Sequence, residues 1–128
     1  MYLNLGSILL ANANEKANSV VIRAGDREIT YQELDRAARG VATSLRARGV
    51  SPGDKVALLV PNVPEFTIAY FGILYAGATV VPINVLAAAP EVTYFLEDSG
   101  ARVLFVHPLF EEPGRAGAAS LDVDVILA

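Results

Sequence analysis

Residues 55–84, with the sequence KVALLVPNVPEFTIAYFGILYAGATVVPIN, decide the fold that this chain predicts. Lys55–Val60 is a continuous apolar run with β-branched residues, which is long enough for a strand and too short for a helix. Thr79–Val81 is strand-like again, until Pro82 stops it. Two such strands joined by a helical segment predict a β-α-β unit, in which buried parallel strands are connected by a right-handed crossover.

The segment between these two strands predicts a buried helix. Asn62 and Glu65 have the spacing of a capping box, Pro64 suits the first helical turn, and Gly77 supplies the left-handed stop. Because the helix carries no His or Lys and only one carboxylate, we interpret it as a core element rather than a site. The apolar run 66–81 is shorter than the ~20 residues of a membrane span, so no transmembrane segment is expected.

Composition limits the classes of function. A chain of 128 residues forms one domain by the usual prior, and its net charge of −4 argues against a nucleic-acid partner. The absence of Cys excludes a disulfide framework and a thiolate metal site, and it is compatible with the cytoplasm. The first ten residues, MYLNLGSILL, do not resemble a signal peptide. The mean hydropathy of +0.41 is high, so we expect an exposed apolar surface and self-association of this chain.

The residues before the central stretch predict three elements. A short helical stretch over 5–13 ends in an Asn-rich loop, and a β-hairpin has its strands at 19–23 and 28–30. Thr30 and Glu33 then form a capping box that opens an amphipathic helix to about Arg48.

The residues after the central stretch continue the alternation of helices and strands. A helix begins at Pro90–Glu91, and a buried strand spans 102–106. Residues 111–119 are interpreted as a loop or ragged helix, and 121–127 as a last strand. The predicted fold class is therefore α/β: an open, mostly parallel, doubly wound sheet with helices on both faces and an N-terminal β-hairpin.

Only three polar residues are placed by this topology at the carboxyl ends of the predicted strands, where such sheets bind ligands. They are Asn62, Asn84 and His107. Each also has a structural interpretation: Asn62 as a helix cap, Asn84 as a loop residue that bonds its own backbone, and His107 as a structural or exposed residue. The structural interpretation is favoured for all three, because no second His, Cys or paired carboxylate stands at a catalytic or metal-ligand spacing.

The sequence also lacks a motif that would hold phosphates. Neither G-x-x-x-x-G-K-[ST] nor a strand-linked G-x-G-x-x-G is present. Of the two lysines, Lys16 lies in the Asn-rich loop and Lys55 at the entering end of a strand, on the wrong side of the sheet for the crevice. Asp122 and Asp124 could bind magnesium in principle, but no partner residues are evident.

Five short segments stand out by their order and spacing: Ile29–Leu34 (ITYQEL), Gly49–Val56 (GVSPGDKV), Pro61–Glu65 (PNVPE), Tyr75–Asn84 (YAGATVVPIN) and Tyr94–Ala101 (YFLEDSGA). Together they resemble the start of the acyl-adenylate-forming enzymes, a superfamily that includes acyl-CoA ligases, luciferases and the adenylation domains of peptide synthetases. The resemblance covers about residues 5–106 and is strongest to the long-chain fatty-acyl-CoA ligases.

The resemblance implies that residues 1–128 are an N-terminal subdomain of a much longer ligase. It places the Lys-containing phosphate loop, the residues for adenosine and magnesium, and the C-terminal domain with its catalytic Lys beyond residue 128. It assigns no catalytic, cofactor-binding or metal-binding residue to this chain. For the whole enzyme it implies ATP, Mg²⁺, coenzyme A and a fatty acid or other carboxylate as reactants and cofactors, in the cytoplasm or in peripheral contact with a membrane. The alternative hypothesis is a stand-alone α/β interaction module with an exposed apolar face.

Overall fold

A computed structural model describes residues 4–128, so the first three residues of the stretch compared with a signal peptide lie outside the described part. The elements in chain order are α1 (Gly6–Glu15), β1 (Val20–Ala24), β2 (Arg27–Thr30), α2 (Tyr31–Ala47), β3 (Lys55–Leu59), α3 (Pro64–Tyr75), β4 (Thr79–Pro82), α4 (Ala89–Ser99), β5 (Val103–Val106), α5 (Glu111–Ala118) and β6 (Asp124–Leu127). A 3₁₀ turn, Pro108–Phe110, precedes α5.

The central sheet has four parallel strands in the order β4-β3-β5-β6. Lys55 pairs with Thr79 in β4, and Val56 pairs with Val103 in β5. The predicted β-α-β unit, here β3, α3 and β4, and the mostly parallel sheet are therefore confirmed. β1 and β2 form a separate antiparallel hairpin, as the sequence predicted.

Helices cover both faces of the sheet, which confirms the doubly wound class. Val56, Leu58 and Val60 pack in the same cluster as the buried residues of α1, α2 and α3. Ala57 and Leu59 point the other way and pack with α4 and α5. Because successive side chains of a strand point to opposite faces, the apolar run of β3 supplies both cores at once.

The start of α3 differs from the prediction in one detail. Asn62 is exposed and does not cap the helix; the N-cap is Val63, which makes no side-chain capping bond. Val63 is extended, as expected for a residue before proline, and Pro64 occupies the first turn because it needs no N–H partner there. Within residues 4–128, no helix is long and apolar enough to cross a membrane.

α2 is held at its start by the predicted capping box and along its length by close packing on α3. The Glu33 N–H donates to Thr30 Oγ1 at 3.2 Å, and the Thr30 N–H donates to Glu33 Oε1 at 3.0 Å. Gly72 of α3 lies so close to Val41 of α2 that a Cβ at Gly72 would stand 2.4 Å from the Val41 Cβ. Glycine therefore sets the distance between the two helices.

Two other elements are longer or more regular than predicted. α1 continues to Glu15, past Asn12, whose side-chain amide donates to the Ile8 carbonyl at 3.0 Å. The segment expected to be a loop or ragged helix is the helix α5, in which Gly114 and Gly117 are buried. A Cβ at Gly117 would lie 2.6 Å from Val92 of α4, so these glycines allow close contact rather than breaking the helix.

Candidate functional site

The carboxyl ends of β3 and β5 mark the edge of the sheet where a ligand would be expected in this fold. The chain passes from β3 to β4 by a helix on one face and then to β5 by a helix on the other, so the connections diverge between β3 and β5. The His107 N–H donates to the Leu59 carbonyl at 3.0 Å, which continues the pairing of the two strands to this edge. Asn62 follows β3 and His107 follows β5, whereas Asn84 follows the outer strand β4.

Of the three predicted polar residues, Asn84 and His107 make local hydrogen bonds that have structural roles. Asn84 Oδ1 accepts the Leu86 N–H at 2.9 Å, so this residue forms the local backbone bond that its structural interpretation describes. His107 Nδ1 accepts the Leu109 N–H at 3.2 Å and caps the 3₁₀ turn. The accepted bond puts the proton of a neutral His107 ring on Nε2. The structure therefore places all three residues after neighbouring strands: Asn62 follows the central strand β3, and Asn84 and His107 follow β4 and β5 on either side of it.

The sequence analysis missed an ion pair at the same edge. Arg27, at the start of β2, donates through its guanidinium to Glu65 Oε1 at 2.8 Å, which ties the hairpin to the first turn of α3. The hydrogen bond from Arg27 is the main cause that lowers the pKa of Glu65, and the positive charge of Arg27 acts in the same direction. Glu65 also lies at a helix N-terminus, where the helix dipole favours a negative charge.

Stability should depend on this pair at acid pH. The folded pKa of Glu65 lies below its ordinary value of 4.5. The charged Glu65 therefore adds its full contribution to the free energy of unfolding above pH 4.5, and this contribution is lost as the pH falls through the folded pKa. In the wild-type chain the urea midpoint of unfolding, measured by circular dichroism, should decrease as the pH is lowered. We expect this decrease to be smaller in Arg27→Gln.

Arg23→Gln is the matched control for this experiment, since Arg23 pairs with the exposed Glu28 at 3.2 Å and this ion pair stays within the hairpin. It should retain the wild-type pH profile. An Arg27→Gln profile identical to that of the wild-type chain would contradict the proposed coupling.

The cationic and acidic residues considered at the sequence level lie elsewhere. Lys16 and Lys55 are exposed, and Lys55 begins β3 at the end of the sheet opposite the crevice. Asp122 and Asp124 are also exposed, and Asp124 lies 3.9 Å from Arg48. In the part of the chain from residue 4 onward, no three His, Cys, Asp or Glu side chains gather in a way that could hold a metal ion.

A second polar cluster joins α2 to α3. The Tyr75 hydroxyl donates to Asp35 Oδ1 at 2.6 Å, and Arg39 Nε donates to Asp35 Oδ2 at 2.9 Å. Burial and the bond to Asp35 raise the pKa of Tyr75 well above its ordinary value of 10.0. Arg46 donates to the Tyr75 carbonyl at 2.8 Å. All of these hydrogen bonds lie within or between α2 and α3, so we interpret the cluster as one that stabilises the packing of the two helices.

An open groove with a mainly apolar lining, which we call the β6 groove, lies between α2, α3 and the β5–β6 part of the sheet. It has a volume of about 380 Å³, and its lining includes Ala37, Gly40 and Ser44 of α2, Ile68 of α3, Phe105 of β5 and Ala128. Its one acidic residue, Glu65, is the partner of Arg27. The packing of residues 4–128 therefore leaves an apolar surface open at this groove.

Comparison with known proteins identifies the family. Residues 9–126 match the AMP-binding enzyme family, which is nearly the whole chain. The chain therefore belongs to the AMP-binding enzymes, and the resemblance stated from its five segments is confirmed.

Similar individual proteins are CoA ligases of several kinds. The chain is 41% identical over 115 residues to a feruloyl-CoA synthase from an Amycolatopsis species, covering 90% of this chain and 23% of that protein. It is 39% identical over 103 residues to the long-chain-fatty-acid–CoA ligase FadD13 of Mycobacterium tuberculosis, covering 79% of this chain and 20% of that protein.

The solved structure of the anthranilate CoA ligase AuaEII in complex with anthranoyl-AMP has a TM-score of 0.93 and 33% identity, over 99% of this chain and 25% of that one. The chain spans about a fifth to a quarter of the length of these relatives and corresponds to their N-terminal part.

Proposed function

We propose that this chain is the N-terminal subdomain, residues 1–128, of an ATP-dependent carboxylate–CoA ligase. In the first step the carboxylate oxygen attacks the α-phosphorus of ATP; the bond to the β-phosphate breaks, and an acyl-adenylate and pyrophosphate form. In the second step the thiol of coenzyme A attacks the acyl carbon, and AMP leaves. The observation that carries this proposal is the family match over residues 9–126.

For the substrate we propose a fatty acid. The similarity to a long-chain-fatty-acid–CoA ligase over 79% of this chain supports this class. An aromatic acid is the second candidate, because a feruloyl-CoA synthase is similar over 90% of the chain and a 3-hydroxybenzoate/4-hydroxybenzoate ligase over 66%.

Within this enzyme the chain would supply framework. Its sheet, helices and crevice would form one wall against which the nucleotide and acyl regions pack, while the phosphate loop and the C-terminal domain belong to the remaining polypeptide. The two lysines are exposed and no acidic cluster suits a metal ion among residues 4–128. The described residues therefore offer no site for the Mg²⁺ that the family implies.

ATP–pyrophosphate exchange tests the proposal. Charge that develops at the α-phosphate needs preorganised cationic or backbone donors, which the described residues do not gather. We expect no exchange above the no-enzyme rate for the 128-residue chain, and exchange by the full ligase with one acid class of a panel of fatty and aromatic acids.

Two results would contradict this proposal. Exchange by the purified 128-residue chain would overturn the framework role. A full-length protein that is inactive with every acid of the panel would count against the ligase assignment and favour the alternative interaction module.

Other properties of the protein also remain proposals. A cytoplasmic location, with peripheral membrane contact of the whole enzyme, is supported by the supply of ATP and coenzyme A inside the cell. Self-association of the isolated chain is supported by the open β6 groove and by strongly exposed apolar side chains such as Leu86 and Leu109.

A further inference from the structure

The β6 groove arises from the way the chain winds through the sheet. The crossover helices that lead to β5 and β6, α4 and α5, both pack on the face opposite to α2 and α3. On the α2–α3 face, β6 therefore receives no crossover helix of its own. Ile126 and Ala128 are only partly buried there, although they pack against the same core cluster as Phe105.

Gly40 is unusual among the helical glycines between residues 4 and 128. A Cβ at Gly6, Gly72, Gly114 or Gly117 would stand within 3.0 Å of another atom, so each of these glycines marks a close contact. A Cβ at Gly40 would meet nothing within 4 Å, although Gly40 lies in the middle of α2 and lines the groove. Glycine weakens a helix interior relative to alanine. Because the space beside Gly40 is open, no contact among the described residues explains why glycine occupies this position.

We propose that the β6 groove is filled by apolar side chains from the polypeptide that follows residue 128 in the full ligase, with its backbone passing close to Gly40. This inference rests on the proposed function, in which the ligase continues beyond the chain described here. The relatives support that continuation, since 128 residues correspond to about a fifth to a quarter of their length.

The geometry favours this occupant over two others. Ala128 lines the groove, so a continuing polypeptide starts inside it and avoids the loss of translational freedom that a separate partner would incur. A free carboxylic acid would bring its charge into a groove whose one ionisable lining residue is the carboxylate Glu65. A second copy would have to displace the same continuing polypeptide from the groove mouth.

Cysteine accessibility in the full ligase tests the proposal. The 128 residues contain no Cys, so single variants can be followed by maleimide labelling and mass spectrometry of the peptide that carries each residue. Ser44→Cys is nearly isosteric and lies in the groove, and Ala37→Cys is a second groove position if the first variant fails to fold. Ala47→Cys is the matched control, because Ala47 is exposed on the same helix outside the groove.

We expect labelling of the groove cysteines to be at least tenfold slower than that of Ala47→Cys, at every protein concentration and without substrate. Equal rates would overturn the proposal. Protection only at high protein concentration would identify a second copy as the occupant. Protection only after addition of a carboxylic-acid substrate would identify a ligand as the occupant. Either result would also overturn the proposal. Exchange activity of the same samples reports separately on the proposed function, since an inactive ligase can be protected and an active one unprotected.

Discussion

Leu58→Ala is expected to destabilise the 128-residue chain by about 2–5 kcal/mol. Leu58 lies in β3, between β4 and β5, and its side chain is 0% exposed. Truncation removes apolar contacts with the cluster formed by α1, α2 and α3, and it leaves a cavity that a central strand with a partner on each side cannot close. The measurement is the free energy of unfolding in urea, followed by circular dichroism.

Leu109→Ala provides the control for the same chemical change at the surface. Leu109 is 77% exposed in the 3₁₀ turn, so we expect its replacement to change the unfolding free energy by no more than about 0.5 kcal/mol. If Leu58→Ala were as well tolerated as Leu109→Ala, the assignment of β3 as the buried centre of the sheet would be wrong.

Gly72→Ala is expected to destabilise the chain by about 1–3 kcal/mol, even though alanine is the better helix former. The new Cβ would stand 2.4 Å from Val41 Cβ and Cγ1 and 3.0 Å from the Ala38 carbonyl oxygen. A β-branched side chain and a backbone carbonyl cannot move aside independently, so α2 and α3 must separate. The readout is again the unfolding free energy in urea.

Gly40→Ala is the opposite case on α2. Because its Cβ would meet nothing within 4 Å, we expect a gain of up to about 1 kcal/mol in the 128-residue chain. A gain for both substitutions would show that the close approach at Gly72 does not constrain the helices.

The strands and the main helices could be predicted from the sequence because their signals are local. The apolar runs of β3 and β5 and the Thr30–Glu33 capping box need no knowledge of distant residues. α5 was not predicted as a regular helix, since Gly114 and Gly117 resemble helix breakers until their neighbours Val106 and Val92 are known. Asn62 matched a capping spacing, but Pro64 and the extended residue before it determine where α3 begins.

The polar contacts between distant parts of the chain could not be predicted from sequence spacing. Arg27 and Glu65 are 38 residues apart, and Asp35 and Tyr75 are 40 residues apart. Each pair joins two elements whose proximity depends on the completed fold. By contrast, Asn62 and His107 were placed correctly at neighbouring strand ends, because the order of strands and crossovers alone fixes that edge.

The strand order also limits when each pair of strands can form as the polypeptide leaves the ribosome. β3 and β4 are separated by a single helix, so all residues of this pair are available before β5 has been synthesised, and the loop that their pairing closes is short. β5 pairs on the other side of β3, and β6 pairs with β5 at the edge of the sheet. Until residues 124–127 have been synthesised, β5 therefore presents unpaired backbone N–H and C=O groups on that side, as an edge strand does.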